Sequence, residues 1–408
     1  MIVRWIALLA LLAGCARPLS AAPVVAADAA AVADADAEAA AAADAVADVD
    51  AAVAADAAPD AVSATETVAR TPDAGAPITV VLHGGTVVSF GGADLDFAGA
   101  DIAAVRTGAA IAQLPVGAQV ADVSGQWLAP AFVDSHVHLV YLPKHLEMAH
   151  NGVAVGIDHA APLGFFATGF APMLVVGSGP MIAAPDGYPL NSWGKNGYGL
   201  PCADQAAAVA AVAMLADKGA GLIKVALESG PKLDQPTLAA VVQAAHGRKL
   251  PVSCHALGDA EAALAAQVGV DVLAHTPTGL LQPATVQAWS KRAVISTLAA
   301  FGGAAAVDNL NALRQAGTTV LYGTDFGNTV QPGIQPNELQ LLGKAGLDGA
   351  AILAAGTTAP AKFWHLPRHG SLQPGKAASV LVLGQDPLVT PLVLAKPTAV
   401  WIEGKLQN

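Results

Sequence analysis

A chain of 408 residues is long enough for two domains, or one large domain with additions, and for an extensive buried core. Its formal net charge of -12 is unevenly spread: residues 21–75 hold eleven acidic side chains against one basic residue, Arg70, so the rest is close to neutral. No basic stripe is left to bind nucleic acid, and an acidic run of this kind solvates rather than recognises.

The chain opens with a short positive segment, Met1-Ile2-Val3-Arg4, followed by an apolar run from Trp5 to Ala13. That run is far shorter than the roughly 20 residues of a membrane-spanning helix and reads as a secretory signal, residues 1–20. Its end, Leu12-Ala13-Gly14-Cys15, resembles the lipobox of bacterial lipoproteins, which implies lipidation of Cys15. The other reading is an ordinary signal cleaved near Ser20-Ala21-Ala22. Both place the mature protein outside the cytoplasm. The lipoprotein reading makes it a periplasmic or outer-membrane protein of a bacterium, touching a membrane only through its N-terminal lipid. Residues 21–76 read as a solvated tether: 27 of the 55 residues in 21–75 are alanine, with no stripe of large apolar side chains to pack on anything.

From Ile78 the texture becomes β-rich. Strands are expected over Ile78 to Val88, Asp101 to Val105, Gln119 to Val123 and Trp127-Leu128, and again over Ser379 to Leu383 and Ala399 to Lys405. The economical arrangement is one small β-sandwich made from both flanks, residues 77–128 and 370–408. Between them, residues 129–369 alternate short apolar strands with Ala-rich helical stretches, which predicts a parallel sheet. Strands are expected near 130–136, 152–158, 172–178, 221–226, 250–255, 271–275, 293–298 and 318–324. Helices are expected at 203–219, 236–247, 258–268, 284–291 and 304–316. Eight strands with helical connections fit a (β/α)₈ barrel, whose active sites lie at the C-terminal strand ends.

Polar residues gather at those ends. Pro130-Ala131-Phe132-Val133-Asp134-Ser135-His136-Val137-His138 places two histidines at i and i+2, so both imidazoles leave one face of a strand. Lys224 lies inside the apolar strand Leu222 to Ala226, where an unpaired ammonium is costly to bury and tends to shed its proton. The alternative is a lysine that reaches the rim to pair with Glu228. His255 and His275 end the next two strands, and Asp325 ends the last. Four histidines, a lysine and an aspartate at five strand ends converge on one pocket.

The order and spacing of His136, His138, Lys224, His255, His275 and Asp325, with the β-rich flanks, resembles the amidohydrolase superfamily of metal-dependent hydrolases over roughly residues 78–408. The stretch Gly219 to Val225 is similar to the branch with imidazolonepropionase-like proteins and Xaa-Pro or Xaa-Arg dipeptidases. Ala131 departs from the usual glycine before the histidine pair, and Ala377-Ala378-Ser379 from a common alanine-aspartate. The resemblance implies zinc, two ions bridged by a carboxylated Lys224, other divalent metals being possible. His136, His138 and Asp325 would hold one ion, and His255 and His275 the other. It further implies a metal-activated water as nucleophile and Asp325 as the general base and acid. An unmodified Lys224 would instead imply a single ion.

Weaker expectations concern the substrate, a small molecule. His159 ends the second strand and is a candidate contact. The loop after the third strand carries Ser178, Tyr188, Trp193, Lys195 and Tyr198, a candidate lid or specificity wall; Lys195 could meet a substrate carboxylate. His83, His145, His150, His246, His365 and His369 read as packing or surface residues. A disulfide between Cys202 and Cys254 is permitted but not deducible. The leading expectation is hydrolysis of the C–N bond of a dipeptide or N-acyl amino acid. The alternatives are hydrolysis of a cyclic amide of the imidazolone type and a catalytically silent, lipid-anchored binding protein.

Overall fold

The computed structural model describes residues 76–407, apart from Phe90 and Ser229. The expected signal, Cys15 and all but the last residue of the expected tether lie outside the described residues. Among the described residues no helix is long and apolar enough to cross a membrane.

The chain is α/β, with three sheets. The first holds β1 (Val80–Val87), β2 (Gly91–Ala98), β3 (Asp101–Thr107), β4 (Gln119–Asp122) and β5 (Trp127–Pro130), joined by β16 (Val380–Leu383), β17 (Ala399–Ile402) and β18 (Lys405–Leu406). The flanks therefore do meet, as one connected sheet: β5 pairs parallel with β1 on one side and antiparallel with β16 on the other. Its buried face, including Leu82, Leu95, Phe97, Val380 and Trp401, forms a core of its own.

β2 was not expected as a strand, because Asp94 and Asp96 interrupt its apolar pattern. The structure shows why it forms. Ala93, Leu95 and Phe97 alternate into the core, and on the other face Arg106 of β3 donates to Asp96 at 2.6 Å and to Asp94 at 3.1 Å. A neighbouring guanidinium makes the burial of two carboxylates tolerable.

The middle of the chain forms two wholly parallel sheets. One contains β6 (Phe132–Val137), β7 (Val153–Asp158) and β8 (Leu174–Gly177). The other contains β9 (Met181–Ala183), β10 (Gly199–Pro201), β11 (Ile223–Leu227), β12 (Val252–Ala256), β13 (Val272–Leu273), β14 (Ala293–Ile295) and β15 (Thr319–Leu321), with spatial order β10-β9-β11-β12-β13-β14-β15. The strand predicted at 271–275 shortens to two residues and that at 318–324 to three, and β9 and β10 were not foreseen. Short strands carry few ladder bonds, so periodicity marks their place better than their ends.

The connecting helices follow their sequence signals closely. α1 (Gln205–Asp217) and α2 (Gln235–Gly247) each begin on an aspartate, Asp204 and Asp234, whose side chain accepts the backbone N–H of the third helical residue. α3 (Asp259–Val268) stops at Gly269, whose φ of +98° suits a residue without a Cβ. α4 (Pro283–Ala288), α5 (Leu298–Phe301), α6 (Ala304–Gln315) and α7 (Pro336–Lys344) follow, and further helices lie at His145–His150, Gly349–Gly356 and Thr358–Phe363. Cys202 and Cys254 are both buried and both free, so the permitted disulfide is not formed.

Candidate metal centre

At the C-terminal end of β6 and in the turn after β15 three side chains face one another. His136 Nε2 lies 3.3 Å from His138 Nε2, and Asp325 Oδ1 lies 3.4 Å from the first and 3.2 Å from the second. His136 and His138 share a face because β6 is extended. Asp325 is brought to them by the turn after β15, where its φ is +53°, and by Asn328, whose Nδ2 donates to both carboxylate oxygens at 3.2 and 3.1 Å. Gly327 lets this turn come close: a Cβ there, at φ +120°, would stand 2.6 Å from Cβ of His138. Asn328 was missed in the sequence, where a lone asparagine three residues past a carboxylate carries little signal.

Protonation follows from the partners. His136 Nδ1 donates to the carbonyl of Ala274 at 2.9 Å, and burial holds the ring well below its ordinary pKa, so its Nε2 carries a bare lone pair. Burial alone would raise the carboxyl of Asp325. Hydrogen bonds from His138 and Asn328, with the neighbouring imidazoles, outweigh burial and hold it below the usual carboxylate range. A bare ring nitrogen and an ionised oxygen 3.4 Å apart are two acceptors, which a cation, or a proton on His138 Nε2, brings together. Two of the three separations match the edges of a tetrahedral coordination polyhedron and the third, 3.2 Å, is close, since bonds of about 2.0–2.2 Å put donors about 3.3–3.6 Å apart. The residues fit a divalent metal ion.

The other expected ligands lie around this cluster. His275 stacks on His136 with ring centroids 4.4 Å apart and meets His255 edge-on at 4.9 Å. His255 Nε2 donates to Glu228 at 3.0 Å, which leaves Nδ1 as its basic nitrogen. His275 Nδ1 bonds the hydroxyl of Thr297 at 3.1 Å. Lys224 is 1% exposed, and burial brings its amine down to about 7 against the pull of Asp325 and Cys254. Its Nζ lies 3.4 Å from Nδ1 of His159, so Glu228 serves His255 while the lysine turns inward. In the described residues the group with ligand atoms close enough to share one ion is His136, His138 and Asp325.

His159 is fully buried. Its Nε2 donates to the carbonyl of Ser135 at 2.8 Å, and Nδ1 faces Lys224 and, at 3.2 Å, the hydroxyl of Ser253, so both nitrogens are engaged within the protein. Ser178 turns its hydroxyl onto the carbonyl of Gly179. Lys195 is exposed. Tyr188 and Trp193 lie over the cluster: the indole meets His138 edge-on at 5.6 Å, and the phenol ring tilts over His255 at 4.7 Å.

An α/β fold with imidazoles and a carboxylate gathered beyond the ends of its parallel strands has the make-up of a hydrolytic metalloenzyme. Residues 189–406 match the amidohydrolase family, more than half of the chain. The chain belongs to the amidohydrolase family and is an amidohydrolase enzyme. It is 24% identical over 335 residues to an uncharacterized protein of Mycobacterium tuberculosis, covering 71% of this chain and 88% of that one. Its fold is shared with the crystal structure of a Xaa-Pro dipeptidase with methionine bound in the active site, at TM-score 0.69 and 18% identity, over 80% of this chain and 99% of that chain. A crystal structure of A. niger ochratoxinase is similar at TM-score 0.68 and 19% identity, over 81% of this chain and 96% of that chain.

Proposed function

We propose that this protein is a metal-dependent hydrolase that cleaves the C–N bond of a dipeptide or N-acyl amino acid. The observation that carries the reading is the triangle of His136, His138 and Asp325, whose potential ligand atoms lie 3.2 to 3.4 Å apart, close enough to share one ion. A divalent ion held there, zinc by the donor types, supplies Lewis acidity toward a water molecule and a carbonyl oxygen. His255 and His275 would hold a second ion. Lys224 would join them as a carbamate: its neutral amine would add to carbon dioxide and release one proton, which puts an anionic ligand where an ammonium would be costly to bury.

Asp325 is the group that moves protons. Its ionised carboxylate, held by Asn328, takes a proton from the attacking water and returns it to the departing nitrogen. His159 holds the Lys224 amine in place, and Glu228 orients His255. The parallel sheets are read as one closed (β/α)₈ barrel. Backbone bonds in support run from Ser135 to Tyr322 at 2.9 Å and from His138 to Phe326 at 2.6 Å, between β6 and the β15 segment. The Leu12-Ala13-Gly14-Cys15 segment extends the proposal to an extracytoplasmic lipoprotein, for which fatty-acid labelling lost in Cys15→Ser is the test.

The function is tested by screening zinc-loaded protein against dipeptides, N-acyl amino acids and cyclic amides, with Asp325→Asn as control. Cleavage of linear amides that disappears in the control supports it. Ring-opening of cyclic amides alone would move the substrate to the imidazolone class, and inactivity across the panel would overturn the reading.

A further inference from the structure

The candidate site is closed in this conformation. Of His136, His138, Lys224, His255, His275 and Asp325, none is more than 4% exposed. Phe301 lies against His275 at 4.4 Å, and what covers His138 and His255 is the loop from Asp186 to Tyr198, which leaves the sheet at β9 and returns at β10. Its base is fastened by the parallel pairing of those strands and by bonds from Met181 to Tyr198 at 2.8 Å and from Cys202 to Ala183 at 2.9 Å. Its body is self-supporting. Among the described residues, its backbone bonds, such as Gly187 to Ala184, Asn191 to Gly187 and Gly194 to Pro189, stay within the loop or reach only Ala184, β9 and β10. It touches the site through two rings, Trp193 on His138 and Tyr188 on His255. Both also pack on the small apolar cluster of Ala160, Met181 and Ala226 at the strand ends. The Trp193 indole donates to the Tyr188 hydroxyl at 2.9 Å, so a bond latches the two rings together.

A substrate that approaches His138 and His255 from this side has to displace these rings, because they lie against the two imidazoles. The place they vacate is flat and apolar on one side, where Ala160, Met181 and Ala226 lie. On the other side is the carboxylate of Glu228, 3.0 Å from His255 Nε2. Aromatic or large apolar groups recover the contacts the rings give up, whereas an acidic group meets like charge. We propose that Trp193 and Tyr188 form a paired aromatic gate over the candidate metal centre, and that it selects substrates bearing an aromatic or bulky apolar side group beside the scissile amide. This rests on the amide-hydrolase reading above. The two parts of the test separate them.

The first part uses zinc alone. Zinc-loaded protein is mixed with excess dipicolinate, and metal release is followed in time for wild type, Trp193→Ala and Tyr188→Phe. The phenylalanine variant keeps the ring, removes only the latch bond, and covers the case in which the alanine variant folds poorly. A gate predicts release about tenfold faster or more in Trp193→Ala and severalfold faster in Tyr188→Phe. Release at the wild-type rate in a folded variant of either kind overturns the gate. The second part compares N-acetylphenylalanine with N-acetylaspartate. Selection by the gate predicts a kcat/KM ratio of about 10-fold or more in favour of the aromatic substrate, narrowed in Trp193→Ala mainly through KM. Equal or reversed preference overturns the selection. Cleavage of neither overturns the selection and leaves the amide-hydrolase reading to the full panel, while the chelator rates still decide the gate.

Discussion

The hydroxyl of Thr324 donates to the carboxylate of Asp134 across 2.6 Å, joining two residues 190 positions apart in the chain. The other oxygen of that carboxylate accepts the backbone N–H of Thr324 at 3.0 Å and of His136 at 3.1 Å. One buried side chain thereby sets the end of β6, which carries His136 and His138, against the turn that carries Asp325. Asp134→Ala removes three acceptor contacts at once and should weaken zinc binding by about 10- to 100-fold, the scale for groups that orient ligands without touching the metal. Asp134→Asn, which keeps an acceptor for both amides, should retain most of the affinity. Calorimetric titration of the metal-stripped variants with zinc checks both.

Asp325 is read as the proton carrier as well as a ligand. Asp325→Asn should therefore lose turnover by about 100- to 10,000-fold while the far-ultraviolet circular dichroism stays that of wild type. A variant with near-normal kcat on the amide found in the screen would remove the aspartate from proton transfer.

Lys224 makes the stability of the metal-free protein depend on pH. Its amine lies near 7 in the fold and near 10.5 when exposed, so below about pH 7 both states are protonated and the fold carries a buried charge. Between 7 and 10.5 the unfolded chain binds the extra proton, and stability rises with pH. In bicarbonate-free buffer the melting temperature of wild type, relative to Lys224→Met, should climb from pH 7 to 9. A difference that stays flat would mean that the amine is not held neutral by burial.

Glu338 of α7 accepts the backbone N–H groups of Leu298 and Ala299, at 3.1 and 2.7 Å, and so supports the turn that holds Thr297 on His275 and Phe301 against the same ring at 4.4 Å. Glu338→Ala strands two buried or half-buried donors, and destabilisation of about 2 kcal/mol or more is expected in urea unfolding, against less for Glu338→Gln.

Much of this site was legible because its members end strands. His136, His138, His255, His275 and Asp325 each follow an apolar run, and a lysine within such a run, as at Lys224, stands out by the cost of burying it. Helix limits were legible where an aspartate cap or a glycine stop marks them, as at Asp204, Asp234 and Gly269. Residues whose meaning lies in a distant partner could not be read. Asp94 and Asp96 look like loop residues until Arg106 is placed beside them. His159 looks like a pocket residue until Lys224 and Ser135 occupy its two nitrogens. Asp134 reads as part of the His136 motif, and its bond to Thr324 exists only because β6 and the β15 segment are neighbours in space. The loop of Trp193 was recognisable as aromatic, yet nothing in its order tells which ring meets His138.

The most direct test of the account is to titrate zinc into metal-stripped protein while following amine release from the amide identified in the screen. The account predicts no turnover at the start and a rise that saturates once the His136, His138 and Asp325 site and its neighbour are filled. Full turnover before any zinc is added, or zinc bound at saturation with no turnover, would contradict it.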